Sequence, residues 1–266
     1  MAHKARKRFG QHFLTDTNVL SRISDEIDRR SEGCGVIEIG PGLGALTEFL
    51  LTNTQTAAAI ELDRDLVAHL REKYCRDQIN IIAADVLAVD FQQLKQELGS
   101  ENLLVCGNLP YNISTPLLFH LLDHIDAIKH MVFMVQKEVA DRLTASTGSK
   151  QWGRLSVMSQ RILDCQQLFD VPPDAFNPPP KVISTVVHLT PKTKTQPLED
   201  YSCLQEVVKQ AFSQRRKTIR NSLKALFQNE DFESCGVDAT DRPENIGVAE
   251  FVRMSNHLAR SRQAHS

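Results

Sequence analysis

The sequence predicts an α/β fold in which helices cover both faces of a parallel β-sheet, followed by a small all-helical C-terminal domain. From about residue 35 to residue 135, short apolar runs alternate with amphipathic stretches. Such runs are typical of strands that are buried on both faces and joined by helices. Beyond residue 198 the hydrophobic pattern has the helical period. The 266 residues suffice for one large and one small domain.

Five strands follow from this pattern. They are expected at residues 36–39, 57–60, 79–83, 103–106 and 131–135. A helix at 45–51 follows the first strand, and a second helical pattern passes through Val67 and Leu70. Two further β-like segments, at about 166–171 and 182–189, flank a rigid proline-rich turn.

A polar segment bounded by Pro191 and Pro197 divides the chain into two predicted domains. Residues 1–191 form the domain that contains the sheet, and residues 198–266 form the helical domain. In the helical domain, the periodicity predicts one helix over about 204–227 and another over 248–258.

Composition excludes several classes of protein. No apolar run approaches the ~18 residues of a membrane span, and no apolar stretch follows the basic N-terminus as in a signal peptide. A cytoplasmic protein without membrane contact is therefore expected. The six cysteines include no CxxC pair, so neither a metal site nor a disulfide framework is predicted.

The formal net charge of −2 conceals an uneven distribution. Residues 1–30 carry a net +3, residues 31–127 carry −9, residues 128–180 carry +1 and residues 181–266 carry +3. The acidic middle and the more basic ends are interpreted separately, because a polyanion responds to local charge.

The first predicted strand ends at a glycine-rich turn, Gly40-x-Gly42-x-Gly44, which precedes a helix. Glycines allow the backbone to approach a nucleotide-like ligand closely, and the helix N-terminus then faces that ligand. In open parallel sheets, ligands bind outside the carboxyl ends of the strands. The alternative is a turn without a ligand, and the spacing differs from the GxGxxG of dinucleotide sites.

Carboxylates end the second and third strands. Glu61 is placed to accept hydrogen bonds from the two hydroxyls of a ribose, which fits NAD and S-adenosylmethionine equally well. Asp85 is placed to accept one from an adenine amino group, and this favours S-adenosylmethionine because dehydrogenases are not marked by an acid here. The alternatives are a solvated Glu61 and a capping Asp85.

The fourth strand ends at Asn108-Leu109-Pro110-Tyr111, which indicates chemistry on an exocyclic amino group. Such a nitrogen is a poor nucleophile because its lone pair is delocalised into the ring. Acceptors aimed at its two N–H groups localise the lone pair, and the Asn108 side chain and the Leu109 carbonyl supply them. Pro110 fixes the turn, and Tyr111 offers a face on which the base stacks. Elsewhere N-x-P-Y is usually a turn.

With these four strand ends in place, the chain resembles the class I S-adenosylmethionine-dependent methyltransferases that methylate N6 of adenine. More narrowly, it resembles the bacterial 16S ribosomal RNA adenine dimethyltransferase family. The matching segments span residues 9 to 223: FGQHFL (9–14), EIGPGLGALT (38–47), IELD (60–63), GNLPYNIS (107–114), QKEV (136–139), FNPPPKV (176–182) and QRRKTIRNSL (214–223). The resemblance implies a Rossmann-like class I methyltransferase sheet with an additional domain for RNA.

The resemblance also implies roles for the matched residues. Tyr111 and Phe176 would sandwich the target adenine. The family usually has asparagine where this chain has His12, so hydrogen bonding at that position differs. The cofactor-binding residues would be His12, Leu14, Gly40, Gly42, Glu61, Asp85 and Asn108.

Basic side chains at both ends of the chain are expected to contact RNA phosphates. The alternative for either cluster is a merely solvated face. The N-terminal cluster is Lys4, Arg6, Lys7 and Arg8. The C-terminal cluster is Arg215, Arg216, Lys217, Arg220 and Lys224.

The implied reaction is N6,N6-dimethylation of two adjacent adenosines near the 3′ end of 16S rRNA in the assembling 30S subunit. It proceeds by direct in-line methyl transfer, with neither a metal nor a covalent enzyme intermediate. Three alternatives stay open: a 23S rRNA adenine methyltransferase of the antibiotic-resistance type, a non-catalytic RNA-binding factor and a nicotinamide oxidoreductase. The FNPPPKV and QRRKTIRNSL segments disfavour the first, the intact strand ends the second, and GxGxG with NLPY the third.

Overall fold

The computed structural model describes residues 12–53, 56–214 and 216–264. The strands in this part of the chain are β1 (Phe13–Leu14), β2 (Cys34–Ile39), β3 (Thr56–Glu61), β4 (Asn80–Ala83), β5 (Asn102–Asn108), β6 (Ile128–Gln136), β7 (Leu163–Val171), β8 (Phe176–Asn177) and β9 (Ser184–Pro191). Seven of them form one sheet in the order β4-β3-β2-β5-β6-β9-β7, and β1 pairs with β8 separately.

Helices alternate with these strands and then continue alone. They are α1 (Thr17–Asp28), α2 (Ala45–Asn53), α3 (Arg64–Lys73), α4 (Phe91–Glu97), α5 (Ser114–Asp123), α6 (Lys137–Leu143), α7 (Arg154–Gln160), α8 (Tyr201–Ser213), α9 (Ile219–Leu223), α10 (Asn229–Ser234) and α11 (Val248–Ala264). Asp16, Asp63 and Asp90 cap α1, α3 and α4 by accepting backbone N–H bonds of the first turn. In the described part of the chain, no helix combines the length and apolarity that crossing a membrane requires.

The sheet is parallel from β2 to β6, and β9 runs antiparallel to β6. Residues 35–39 of β2 and 103–107 of β5 are buried without interruption. Because successive side chains of a strand point to opposite faces, this burial means that both faces of the sheet centre are covered. The predicted α/β sheet covered on both faces is confirmed.

The chain order of the strands reverses between β4 and β5, which lie on opposite sides of the central β2. The carboxyl ends of β2 and β5 are therefore neighbours, although about 70 residues separate them in sequence. At such a point the connections leave in opposite directions, and a crevice opens between them. This topology determines where a ligand site forms.

The described residues divide into two units by their contacts. One contains the residues up to Ala140 together with Cys165–Pro191, and the other contains Asp141–Asp164 with the residues from Lys192 onward. The second unit thus includes residues 141–164, which the division at residue 191 had assigned to the first. Buried Trp152 shows why: its indole Nε1–H donates to the Ile246 carbonyl at 2.9 Å.

The single helix expected over 204–227 is wrong. Helix α8 ends at Ser213, and α9 begins at Ile219. The Thr218 hydroxyl accepts from the Asn221 N–H, and the N–H groups of Ile219 and Arg220 donate to carbonyls of the segment 239–241. A new N-terminus with satisfied N–H groups interrupts the periodic pattern. The helix predicted over 248–258 is present as α11.

Candidate active site

A cavity of about 450 Å³ lies outside the carboxyl ends of β2, β3, β4 and β5. Its volume falls within the ~300–1,000 Å³ that is usual for small-molecule sites. The cavity brings together ten of the residues singled out from the sequence: His12, Leu14, Gly40, Gly42, Glu61, Asp85, Asn108, Leu109, Pro110 and Tyr111.

Phe176 is the exception. Its side chain is 4% exposed and packs in the apolar cluster that contains Leu14, Leu20 and Ile23. The residue belongs to β8, which pairs with β1 so that Phe176 lies opposite Leu14. The structure therefore places the Phe176 ring in the core and not in the cavity wall, and its expected stacking on the adenine stays a prediction.

Glu61 lies at the end of β3 and is held by backbone N–H groups. Its Oε1 accepts from Leu62 and Asp63 at 2.9 Å each, and its Oε2 accepts from Gly42 at 3.2 Å. Burial raises the pKa of Glu61, although these three N–H donors act in the opposite direction. The glycine loop and the carboxylate thus form one rigid unit beside the cavity.

Gly42 needs to be a glycine for two reasons. Its φ of +61° lies in the left-handed region, and a Cβ at this position would lie 3.1 Å from the Phe13 ring. Phe13 therefore packs directly on the loop backbone. The same loop backbone donates the Gly42 N–H to Glu61.

Asp85 lies at the cavity rim and is exposed. Its Oδ1 accepts from the Leu87 N–H at 3.0 Å and caps the short 3-10 turn Val86–Ala88. The capping alternative is therefore present in the structure, and the contact to an adenine amino group stays a prediction.

Asn108 ends β5 with its amide in a defined orientation. The Nδ2–H group donates to the His12 carbonyl at 3.0 Å. Because the amide is planar, this bond also fixes the direction of the acceptor Oδ1. The next residue is equally constrained, since the Leu109 N–H donates to the Met134 carbonyl of β6 at 3.1 Å.

Tyr111 is held by a serine that is distant in sequence, and a histidine ring covers it. Its hydroxyl is 2.7 Å from the Ser184 Oγ, and burial raises its pKa. The His12 ring stacks on the Tyr111 ring with centroids 5.5 Å apart and planes 28° from parallel. The His12 Nδ1 lies 2.8 Å from the Pro178 carbonyl, so it carries the proton of that bond.

A sequence model of the family described as ribosomal RNA adenine dimethylase matches residues 2–260. The chain belongs to the ribosomal RNA adenine dimethylase family. The sequence resemblance to rRNA adenine dimethyltransferases is thereby confirmed, and with it the expectation that the chain is an enzyme of this class.

Curated relatives of this ribosomal RNA adenine dimethylase match along nearly the whole chain. A "Ribosomal RNA small subunit methyltransferase A" of Pseudomonas aeruginosa is 51% identical over 97% of this chain and 96% of its own length. The protein of that name from Shewanella loihica is 47% identical over 99% of this chain and 98% of its own length.

A crystal structure of a dimethyladenosine transferase from Plasmodium falciparum has the same fold. It matches with a TM-score of 0.72 over 91% of this chain and 96% of its own, at 24% identity. The Rossmann-like methyltransferase fold expected from the sequence is confirmed by this likeness and by the strand order.

Three residues in or beside the cavity were missed from the sequence. Glu38 lines the cavity, is 2% exposed and accepts from the Thr47 hydroxyl at 2.6 Å. Its signal was a charged residue inside the apolar run of β2. Gly107 lies directly before Asn108 at a strand end, where a glycine signals close packing. Ser184 had no signal, because only the fold brings it to Tyr111.

The basic residues expected to contact RNA are only partly described. Lys4, Arg6, Lys7, Arg8 and Arg215 lie outside the described residues. The other four are exposed in the second unit. Arg216 and Lys217 lie before α9, Arg220 lies on it and Lys224 follows it directly. Exposure of these side chains is what contact with RNA phosphates requires, and that contact stays a prediction.

We expect Glu38→Gln to reduce the pH dependence of stability, to which Glu61 also contributes through its raised pKa. Burial, opposed by the Thr47 hydrogen bond, raises the pKa of Glu38 from 4.5 to about 7. The folded state then keeps a proton that the unfolded state loses, so stability falls as the pH rises from 4.5 to about 7. The loss is at most about 3.5 kcal/mol, at about 1.4 kcal/mol per pKa unit. Chemical denaturation of the cofactor-free protein across this range measures it.

Exposed Glu72 provides the matched control for this experiment. Glu72→Gln is expected to keep the wild-type decline in stability, whereas Glu38→Gln is expected to make the decline shallower and to be the more stable protein above about pH 7. A decline of equal steepness in both variants would contradict the assignment to Glu38.

Proposed function

We propose that this chain uses S-adenosylmethionine to dimethylate N6 of two adjacent adenosines near the 3′ end of 16S rRNA in the assembling small ribosomal subunit. The observation that carries the proposal is the Asn108 amide, which the His12 carbonyl orients at the mouth of a cavity that also contains Glu61. Relatives named for the small ribosomal subunit, about half identical along nearly the whole chain, support the choice of RNA.

The donor set of the cavity fits S-adenosylmethionine. Glu61 is a buried carboxylate at a strand end, where it accepts the hydroxyls of a ribose. The Gly42 loop brings backbone close to the ligand without side-chain bulk, and Leu62, 53% exposed at the cavity, offers an apolar surface to a base. Asp85 supplies an acceptor at the rim. When bound, the cofactor supplies a methyl group on a positively charged sulfur.

The residues of β5 and the turn after it would hold the target base. The Asn108 Oδ1 accepts from one N6–H, and the Leu109 carbonyl accepts from the other. Both acceptors favour a pyramidal nitrogen, whose lone pair is then directed at the methyl carbon. The reaction requires positioning and charge complementarity from the protein, which the fixed amide provides before the substrate arrives.

Tyr111 would orient the base by stacking. Its hydroxyl bond to Ser184 holds the ring plane, and the His12 ring lies on it in this structure. An incoming adenine either displaces His12 from Tyr111 or stacks beside it. In both cases the His12 ring borders the base site. In family members with asparagine at this position, a side-chain amide would border it instead.

Methylation of ribosomal subunits tests the proposal directly. The protein is incubated with labelled S-adenosylmethionine and either under-methylated small subunits or large-subunit rRNA, and primer extension maps the modified nucleotides. Two adjacent blocked adenosines near the 3′ end of 16S rRNA are expected. Modification of 23S rRNA alone would assign the antibiotic-resistance type of enzyme, and a failure to bind the cofactor would assign a non-catalytic RNA-binding factor.

A further inference from the structure

A second cleft lies at the opposite end of the strands from the cofactor cavity. It has a volume of about 530 Å³ and is lined by Arg29, Arg30, Glu32, Lys129, His130 and His188. Lys129 and His130 stand at the start of β6, and His188 stands near the end of the antiparallel β9. The cleft is therefore built within the first unit and shares no residue with the cavity.

The fixed charges of the cleft are predominantly positive. Three permanent cations face one lining carboxylate, Glu32. Glu26 of α1 pairs with both arginines, and its Oε2 is 2.7 Å from the Arg30 Nη1. Lys129 is exposed, and among the described residues no carboxylate lies within ion-pair distance of it. Positive charge thus remains uncompensated at the mouth of the cleft.

Two imidazoles form the floor of the cleft. The His130 Nδ1 lies 3.2 Å from the His188 Nε2, and the Thr190 Oγ1 lies 3.0 Å from the same Nε2. Burial lowers the pKa of His130 and, to about 4, that of His188. The cations Arg30 and Lys129 add to this effect, whereas Glu26 opposes it. The pair is consequently neutral in the free protein, and an anion that offsets these cations favours its protonation.

We propose that this cleft binds a phosphodiester group of the substrate RNA backbone. Lys129 and the two arginines supply fixed charge, and the His130–His188 pair supplies hydrogen-bond donors. The cleft is open, and its cations Arg29 and Lys129 are exposed, as contact with a continuous polyanion requires. The inference rests on an rRNA substrate but not on which nucleotides are methylated.

Binding of a 16S rRNA 3′-terminal fragment without cofactor tests this site. Lys129→Gln is expected to lower the affinity about 3- to 10-fold and to reduce the slope of log K against log salt by about 0.7, the value for one phosphate contact on a single strand. The control is Lys95→Gln on α4, which removes the same charge elsewhere and should change neither quantity. Equal effects of the two variants would overturn the proposal.

Proton uptake gives a second, independent readout. Wild-type affinity for the fragment is expected to rise as the pH is lowered from about 8 towards about 5, because a bound anion opposes the cations that lower the imidazole pKa values and so favours proton uptake. The rise should be smaller in the double variant His130→Gln/His188→Gln, while cofactor binding stays unchanged in both. A pH dependence identical to wild type would overturn the role of the pair.

Inorganic phosphate distinguishes a free anion from the RNA backbone. At constant ionic strength, phosphate is expected to compete only weakly with the fragment, since an RNA strand makes further contacts. If inorganic phosphate binds the cleft while Lys129→Gln leaves the RNA affinity unchanged, the cleft is assigned to a free anion and the proposal is overturned. Because no methylation is measured, the outcome is independent of the mapping experiment above.

Discussion

Replacing Asn108 by alanine is expected to lower methyl transfer by about 10²- to 10³-fold, the usual effect of removing one preorganised polar group from an active site. The amide is oriented before the substrate binds, since its Nδ2–H donates to the His12 carbonyl at 3.0 Å. Without the side chain, the adenine nitrogen keeps its lone pair in the ring. Single-turnover transfer of labelled methyl to under-methylated small subunits measures the loss.

Cofactor binding separates this effect from a folding defect. Asn108→Ala should bind S-adenosylmethionine within a few-fold of wild type, because Glu61 and the Gly42 loop remain intact. Asn102→Ala at the other end of β5 is the matched control and should transfer methyl normally. Asn108→Asp should also fail, since it places a carboxylate against the His12 carbonyl. Near-normal transfer by Asn108→Ala would disprove the assigned role.

Replacing Gly107 by alanine is expected to destabilise the protein by about 4 kcal/mol, the sum of overpacking and an unfavourable φ. Gly107 has a φ of +151°, and a Cβ there would lie closer than 3.0 Å to the Ile39 carbonyl of the neighbouring strand. Because the new Cβ would collide with backbone atoms of Ile39, which cannot rotate away as a side chain does, β2 and β5 must separate. Asn108 would move with the strand, so activity should fall together with stability.

Gly99→Ala measures the conformational part of this cost, and the difference between the two variants gives the steric part. Gly99 also has a positive φ, +63°, but a Cβ at this position would have no other atom within 4 Å, so only the conformational cost of roughly 1–2 kcal/mol applies. Urea denaturation of both variants gives the comparison. A Gly107 variant no less stable than the Gly99 variant would show that the strands adjust without strain.

The strand ends illustrate how much of the site follows from local sequence. Apolar runs predict β2, β3, β4 and β5 to within a few residues, because burial on both faces leaves no polar alternation. The residues that follow them are then known to share one edge of the sheet. Glu61, Asp85 and Asn108 were predicted at this edge for that reason, and all three line the cavity.

Local periodicity is a poorer guide where distant groups compete. One helix was expected over 204–227, but carbonyls of residues 239 and 241 accept from the N–H groups that begin α9. Nothing in the segment itself indicates these partners. The position of Phe176 has the same origin, since the pairing of β8 with β1 directs its ring into the core.

The sequence by itself determined the class of fold, the strand ends that carry polar groups and the family to which the chain belongs. These properties depend on residues close together in the chain, where hydrophobic period and motif spacing act. Only the tertiary structure decided which groups hold those residues: the His12 carbonyl on Asn108, Ser184 on Tyr111 and Gly42 on Glu61. Such bonds join segments 19 to 96 residues apart, and only the folded chain brings their atoms within reach.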